Sequence, residues 1–275
     1  MYIKEYNENT IGLKDKPLIV DFLKICPNNL KELFLKFDNI DLNYAFGVSS
    51  TFSSQIEGNP LDINSFMRIK NSKLPNLKKD KSFLEIEDLI KSYEFAKNNE
   101  LTEKNLLKSH FIMSSDLNIS DAEKGKYRVG ENEAIYGEEG LRYVAIETKY
   151  VKSIMREFFD DIDTVLSDIS NGKLTICEVF YYSILIHLIF INIHPFRDGN
   201  GRISRLLQKW FLKSAFVRLV EFNDLYDLVW KIPFENYIFK NKNDYYKSLE
   251  IGINFYEINY SNSLPFYNLF INCLK

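Results

Sequence analysis

Residues 179–193 read VFYYSILIHLIFINI, and residues 194–202 follow at once as HPFRDGNGR. The first stretch is apolar on all sides, the pattern of a helix buried inside a bundle. It falls short of the roughly 20 residues needed to span a bilayer, and it contains His187 and Asn192. The second stretch stops that helix. Pro195 cannot continue it, and Asp198-Gly199 and Asn200-Gly201 are turn dipeptides.

A second helix should start at Asn200 or Gly201, with Ile203, Leu206, Leu207, Trp210 and Phe211 on its inner face. Its first N–H groups have no intrahelical acceptor, and the helix dipole places positive charge there. Gly199 and Gly201 both admit positive φ, so neighbouring N–H groups can converge into an anion-binding nest. Such a nest suits phosphates. Arg202 and Arg205 lie in the first turns and add positive charge. Asp198 stands at the nest's edge, where a carboxylate beside phosphates calls for a hard cation such as Mg²⁺. His194 precedes it, and the ordinary pKa of its imidazole suits a general base near neutrality. His110 and His187 fall on apolar helical faces and read as packing or supporting residues.

Elsewhere the apolar spacing is mostly helical. One run holds Leu18, Val20, Phe22 and Leu23, and another Leu30, Leu33, Phe34 and Phe37. Further stripes are Phe83–Tyr93, Leu106–Phe111, and Val151–Ile162 with Thr148 as its cap. A last stripe carries Tyr245, Leu249 and Ile253. The exception is a pair of short extended pieces, Ala134-Ile135-Tyr136 and Arg142-Tyr143-Val144, with Gly137 and Gly140 between them. This spacing predicts a β-hairpin that leans on the helices or works as a flap. Residues 70–81 read as a polar connector.

Composition limits the alternatives. The chain is 45% hydrophobic, with 22 Phe and 17 Tyr, which is ample for a sizeable core. Its 35 basic and 38 acidic side chains leave no basic footprint for nucleic acid. The N-terminus shows no signal-peptide pattern and no span is long enough for a membrane, so the expectation is a cytoplasmic protein. Cys26, Cys177 and Cys273 fit neither a zinc site nor a disulfide framework and read as free thiols.

The nine residues and Arg205 match the pattern His-x-Phe-x-(Asp/Glu)-Gly-Asn-Gly-Arg-x-x-Arg at every fixed position, and here the chain resembles the Fic family. The resemblance extends over roughly residues 45 to 270. It implies a mainly α fold, a Fic-type helical bundle with a β-hairpin flap. It also implies a nucleotidyltransferase that moves AMP from ATP, with Mg²⁺, to a Ser, Thr or Tyr hydroxyl of a target protein. His194 would be the base and Asp198 the metal ligand. Gly199, Asn200 and Gly201 would cradle the α- and β-phosphates, Arg202 the β-phosphate and Arg205 the γ-phosphate, with Phe196 packed into the core.

Residues 126–147 resemble the family flap, which binds the target segment by strand addition along residues 134–146 and brings Tyr136 and Gly137 to the nucleotide. Tyr245 and Tyr246 resemble an element at the adenine end. His187 is also common in the family. Ser53-Ser54-Gln55-Ile56-Glu57-Gly58 is by itself a polar helix end with a glycine stop. Within the resemblance it matches an inhibitory motif, (Ser/Thr)-x-x-x-Glu-(Gly/Asn), in which Ser53, Glu57 and Gly58 restrain Arg205. Residues 1–80 would then be an N-terminal helical region carrying the inhibitory helix, and residues 81–275 the catalytic core with its C-terminal helices.

Self-modification and homodimerisation are compatible with the resemblance, and so is removal of AMP with Glu57 positioning a water. A regulatory module that only senses nucleotide is the reading from another class. Transfer of UMP, phosphate or phosphocholine also fits the scaffold.

Overall fold

The computed structural model describes residues 12–73, 76–131, 133–137, 140–222 and 225–275, with only the main chain at residues 136 and 137. Helices dominate, as the spacing predicts. In chain order they are α1 (Ile19–Ile25), α2 (Leu30–Leu35), α3 (Leu42–Ile56), α4 (Ile63–Asn71), α5 (Lys81–Asn98) and α6 (Glu103–Met113). The hairpin β1 (Ala134–Gly137) and β2 (Gly140–Val144) comes next. Then follow α7 (Thr148–Ser170), α8 (Ile176–Ile193), α9 (Asn200–Phe216), α10 (Phe234–Lys240), α11 (Lys242–Leu249) and α12 (Leu264–Cys273).

The apolar stretch is the hub. Thr175 and Glu178 close a capping box at its start: the Thr175 hydroxyl accepts the Glu178 N–H and the Glu178 carboxylate accepts the Thr175 N–H. From there α8 runs 18 residues, apolar and long enough to cross a membrane by composition, yet 78% of that window is buried by neighbouring helices. Helix α9 packs along it, while α1, α2, α7 and α12 close around it. On its other side α9 meets α3, α5 and the 3₁₀ turn Tyr226–Lys231. Aromatic rings fill the joints: Phe22 of α1 sits against Tyr181 and Tyr267, each 5.4 Å away between ring centres.

Several local expectations are corrected. Thr148 does not cap α7. Glu147 holds that position, and the Thr148 hydroxyl instead accepts from Arg128 and donates to the Glu131 carbonyl. The helix through Tyr245 ends at Leu249; Ile253 is exposed, and its carbonyl accepts the Val144 N–H, so pairing with the hairpin replaces helix there. Val20, Leu23 and Phe111 remain exposed, because short amphipathic helices bury only one stripe. The cysteines are not all free: Cys26, at the end of α1, is joined to Cys177 of α8 by a disulfide, and only Cys273 is free. The 151-residue separation hides this contact from spacing rules, which see only local Cys patterns.

The two strands pair antiparallel, Ala134 with Val144, with an irregularity at Ile135/Tyr136. The hairpin does lean on the bundle. Tyr143 is buried and donates its hydroxyl to the Asn192 carbonyl, 2.8 Å away, near the end of α8.

Candidate active site

His194 ends α8 in the left-handed conformation, φ 53°, which a non-glycine residue adopts only at a cost and only where its surroundings enforce it. The enforcing group is Arg128, which sequence reasoning missed. Its Nε donates to the His194 carbonyl at 2.8 Å, its Nη1 to Thr148 Oγ1 at 2.7 Å, and its Nη2 to the Ile146 carbonyl. Its own N–H donates to the Pro195 carbonyl at 2.9 Å. Arg128 lies 66 residues upstream in an irregular stretch, where no periodicity or motif marks it.

The imidazole of His194 has a defined polarity. Nδ1 is 3.3 Å from the Ile191 carbonyl, which can only accept, so Nδ1 carries the proton and Nε2 keeps its lone pair. Burial, reinforced by the Arg128 charge, lowers its pKa to about 4, so the ring is neutral at pH 7.

The loop that follows is held from both sides. Asn200 turns its amide back on Phe196, accepting the Phe196 N–H at 2.9 Å and donating to its carbonyl at 2.8 Å. Phe196 is fully buried and stacks on His110 with ring centres 3.7 Å apart. His110 accepts the Gly125 N–H on Nδ1, which makes Nε2 the donor to the Asp198 carbonyl, 3.0 Å away. Burial brings the pKa of His110 down to about 4.

The two glycines differ. Gly199 takes φ 83°, so the backbone demands glycine, and a Cβ there would also lie 2.5 Å from Cε at the flexible end of Met113. Gly201 is helical, contrary to the expectation of positive φ. A Cβ on Gly201 would meet Glu57 Oε1 at 2.2 Å, so its missing side chain is the seat of that carboxylate.

Glu57 reaches this seat from the end of α3, where Gly58 at φ 96° stops the helix. Its Oε1 accepts from Arg205 Nη2 at 2.7 Å. Arg205 also gives Nε to Ser53 Oγ at 2.9 Å and Nη2 to the Ser53 carbonyl at 3.0 Å, while its buried Nη1 has no hydrogen-bond partner among the described residues. Burial works against the Arg205 charge, but Glu57, Tyr245 and Tyr246 together outweigh it and raise the guanidinium pKa further. Asp198 Oδ1 accepts from Arg202 Nη2 at 3.0 Å and from the Gly199 N–H; Oδ2 takes part in neither bond. Among the described residues no cluster of three or more His, Cys, Asp and Glu forms a metal cage. Asp198 is the carboxylate of the loop that could hold a divalent cation, together with oxygens of a bound phosphate.

Beside the nest opens a cavity of about 330 Å³, lined by His194, Glu57, Gly201, Tyr245 and Tyr246 among others. Tyr245 is buried and donates to His187 Nε2 at 3.0 Å, and His187 Nδ1 meets Gln208 Oε1 at 2.8 Å. Burial lowers the pKa of His187 to about 3. Tyr246 donates its hydroxyl to the Ile56 carbonyl at 3.0 Å, tying the cavity wall to the end of α3. The structure therefore brings together His194, Asp198, the nest, both arginines, Ser53, Glu57 and the two tyrosines. Gly137 ends β1, while the side chain of Tyr136 lies outside the described residues, as do Glu138 and Glu139.

A family model described as Fic/DOC matches residues 100–212. No curated protein matches the chain. Among solved structures, a Fic family protein from Desulfovibrio desulfuricans G20 superposes with a TM-score of 0.68 at 22% identity, covering 96% of this chain and 73% of the other. A Fic domain containing signaling protein from Bacteroides thetaiotaomicron VPI-5482 gives 0.63 at 20%, covering 90% and 91%. Fic-1 from C. elegans gives 0.59 at 18%, covering 90% and 67%. At these identities the superpositions show the shared fold, and residues 100–212, the stretch that carries His194, Asp198, Arg202 and Arg205, match the Fic/DOC family model.

Proposed function

We propose that the chain is a protein adenylyltransferase restrained by its own Glu57. One observation carries this reading: a carboxylate of the same chain already occupies the anion seat at the start of α9, on Gly201 and against Arg205. A site built to hold an anion there, next to a neutral histidine base, suits a nucleoside triphosphate and a hydroxyl acceptor. Two features support ATP as the substrate: the cradle at Gly201 and the Nη1 of Arg205, which has no hydrogen-bond partner among the described residues.

In the reaction, the target hydroxyl oxygen bonds to the α-phosphorus and the bond to the bridging oxygen of the leaving pyrophosphate breaks. His194 Nε2 takes the hydroxyl proton, and its Nδ1–H bond to Ile191 holds the ring in the tautomer that can do so. The N–H groups of the first turn of α9 and Arg202 meet the negative charge of the phosphates. Mg²⁺, held by Asp198 and phosphate oxygens, would neutralise charge on the departing pyrophosphate. Glu57 opposes all this by adding a negative charge to the seat and engaging Arg205. The test is incubation with labelled ATP and Mg²⁺ in a lysate. Glu57→Gly should incorporate at least about tenfold more AMP than the wild type, the size expected when one charge-assisted contact is removed. Equal labelling would end the inhibitory reading.

Glu57 and His194 line one cavity, which also favours a second reaction, AMP removal by a water held between them. Release of AMP from a modified target by wild type but not by Glu57→Gly would identify it.

A further inference from the structure

Lys209 and Glu235 form an ion pair with no solvent exposure on either side chain, Nζ to Oε2 2.8 Å. The pair lies outside the site described above, and burying it costs several kcal/mol per ion unless the geometry repays it. Burial pulls the pKa of Lys209 down, with Glu235 opposing. The network around it is nearly complete. Nζ also donates to Ser49 Oγ at 2.8 Å and, more weakly, to the Trp230 carbonyl at 3.4 Å. Glu235 Oε1 accepts from Tyr93 at 2.7 Å.

The position of the pair suggests its purpose. Ser49, Ser53 and Glu57 follow one another at four-residue intervals on α3 and its C-cap. Gly201, Arg205 and Lys209 do the same on α9. The two helices therefore meet in three rungs: Ser49 to Lys209, Ser53 to Arg205, and Glu57 to Gly201 and Arg205. Elsewhere α3 packs through its aromatic side chains, Phe46 lying 6.0 Å from both Tyr93 and Trp230 and Phe52 lying 5.3 Å from Phe239 between ring centres. Ser50, Thr51 and Ser54 are buried, and their hydroxyls have no hydrogen-bond partner among the described residues. Along its line of contact with α9, by contrast, α3 presents Ser49, Ser53 and Glu57, so polar rungs join these two helices. The Ser49 rung is anchored from outside the two helices through Glu235 of α10 and Tyr93 of α5, and the Glu57 end by the bond from Tyr246 to the Ile56 carbonyl.

We propose that the Lys209–Glu235 pair is a positioning device that sets the register of α3 on α9 and thereby seats Glu57 on Gly201. The inference rests on the inhibitory reading of Glu57 for its effect on activity, though not for its effect on structure. It is tested with Lys209→Met/Glu235→Gln, which removes both charges while leaving an acceptor for Tyr93. Two readouts are taken: amide hydrogen exchange over residues 50–57, and AMP incorporation from labelled ATP with Mg²⁺. Exchange should quicken about tenfold, equivalent to about 1.4 kcal/mol, and incorporation should rise above wild type. In the Glu57→Gly background the same double change should leave incorporation unaltered, since no carboxylate remains to be seated. Exchange at the wild-type rate in the folded double variant would overturn the proposal. If the double variant does not fold, Ser49→Ala takes its place, with faster exchange expected over the same residues and unchanged exchange overturning it. Faster exchange together with a Glu57→Gly variant that labels no more than wild type would sustain the register device and sink the inhibitory reading.

Discussion

His194 combines three local constraints in one residue: a left-handed backbone, a proton fixed on Nδ1 by Ile191, and a pKa lowered to about 4 by burial. The low pKa keeps the base available from neutral pH down to moderately acidic pH, at the cost of basicity. In the Glu57→Gly background, His194→Ala should cut AMP incorporation by about 10²-fold or more, read as label per minute on a target or on the protein itself. Undiminished labelling would remove its role as base. Gly199→Ala carries a different penalty, from both φ and the approach to Met113, and should lower unfolding free energy by about 1–3 kcal/mol in a urea titration. The chemical residues were legible because they are contiguous: base, carboxylate, glycines and arginines fall within twelve positions, 194–205. Arg128 and the pairing of Asp198 with Arg202 were not, because each depends on a three-dimensional approach that residue type does not reveal.

At the level of elements, the loop between α8 and α9 is held by a stack and one hydrogen bond from His110 on α6, whose other ring nitrogen accepts from the Gly125 N–H. A His110→Phe variant keeps the stack on Phe196 and loses both bonds, leaving the part-buried Asp198 carbonyl and Gly125 N–H without that partner. Losses of about 1–3 kcal/mol in stability are expected for such orphaned groups. They should come with a fall in incorporation in the Glu57→Gly background, measured by thermal melting and labelling side by side; an unchanged melting point would contradict this account of the loop. Helix periodicity identified α5, α7, α8 and α9 because each buries a long stripe. It failed at Thr148 and Ile253, where side-chain or strand bonding to a distant segment displaced the local preference. The end of α3 at Glu57-Gly58 was visible in the residues themselves, but its contact with Gly201 lies outside the 100–212 match and came into view only with the fold.

For the whole molecule, two consequences of long-range packing are measurable. The Cys26–Cys177 link closes a loop of 151 residues between α1 and α8. Replacing both with Ser, or adding reductant, should lower stability by about 2–5 kcal/mol; insensitivity of the melting point to reductant would count against the link. Acid is the second stress. All three histidines have pKa values lowered below 6.5 by burial, to about 4 for His110 and His194 and about 3 for His187. The unfolded chain therefore binds more protons than the folded one in this window. Their contribution is intact above about pH 6.5 and is lost as the pH falls towards 4 and 3, at up to about 1.4 kcal/mol per pH unit for each histidine. Denaturant midpoints measured from pH 7 to pH 4 should fall accordingly, and a flat profile would contradict it.

Gly201 has one further consequence. The volume left by its missing side chain accommodates Glu57, and under the proposed function the same seat serves a phosphate, so two anions contend for one space. One of them is covalently tethered through α3 and never diffuses away. A tethered competitor acts as though present at a fixed, high effective concentration, which for short connections reaches the millimolar range or about that order. The nucleotide saturation curve would then keep its ordinary shape but be shifted to higher concentration by a constant factor. Any partner that draws the end of α3 outward would lower the half-saturating concentration without touching the nucleotide.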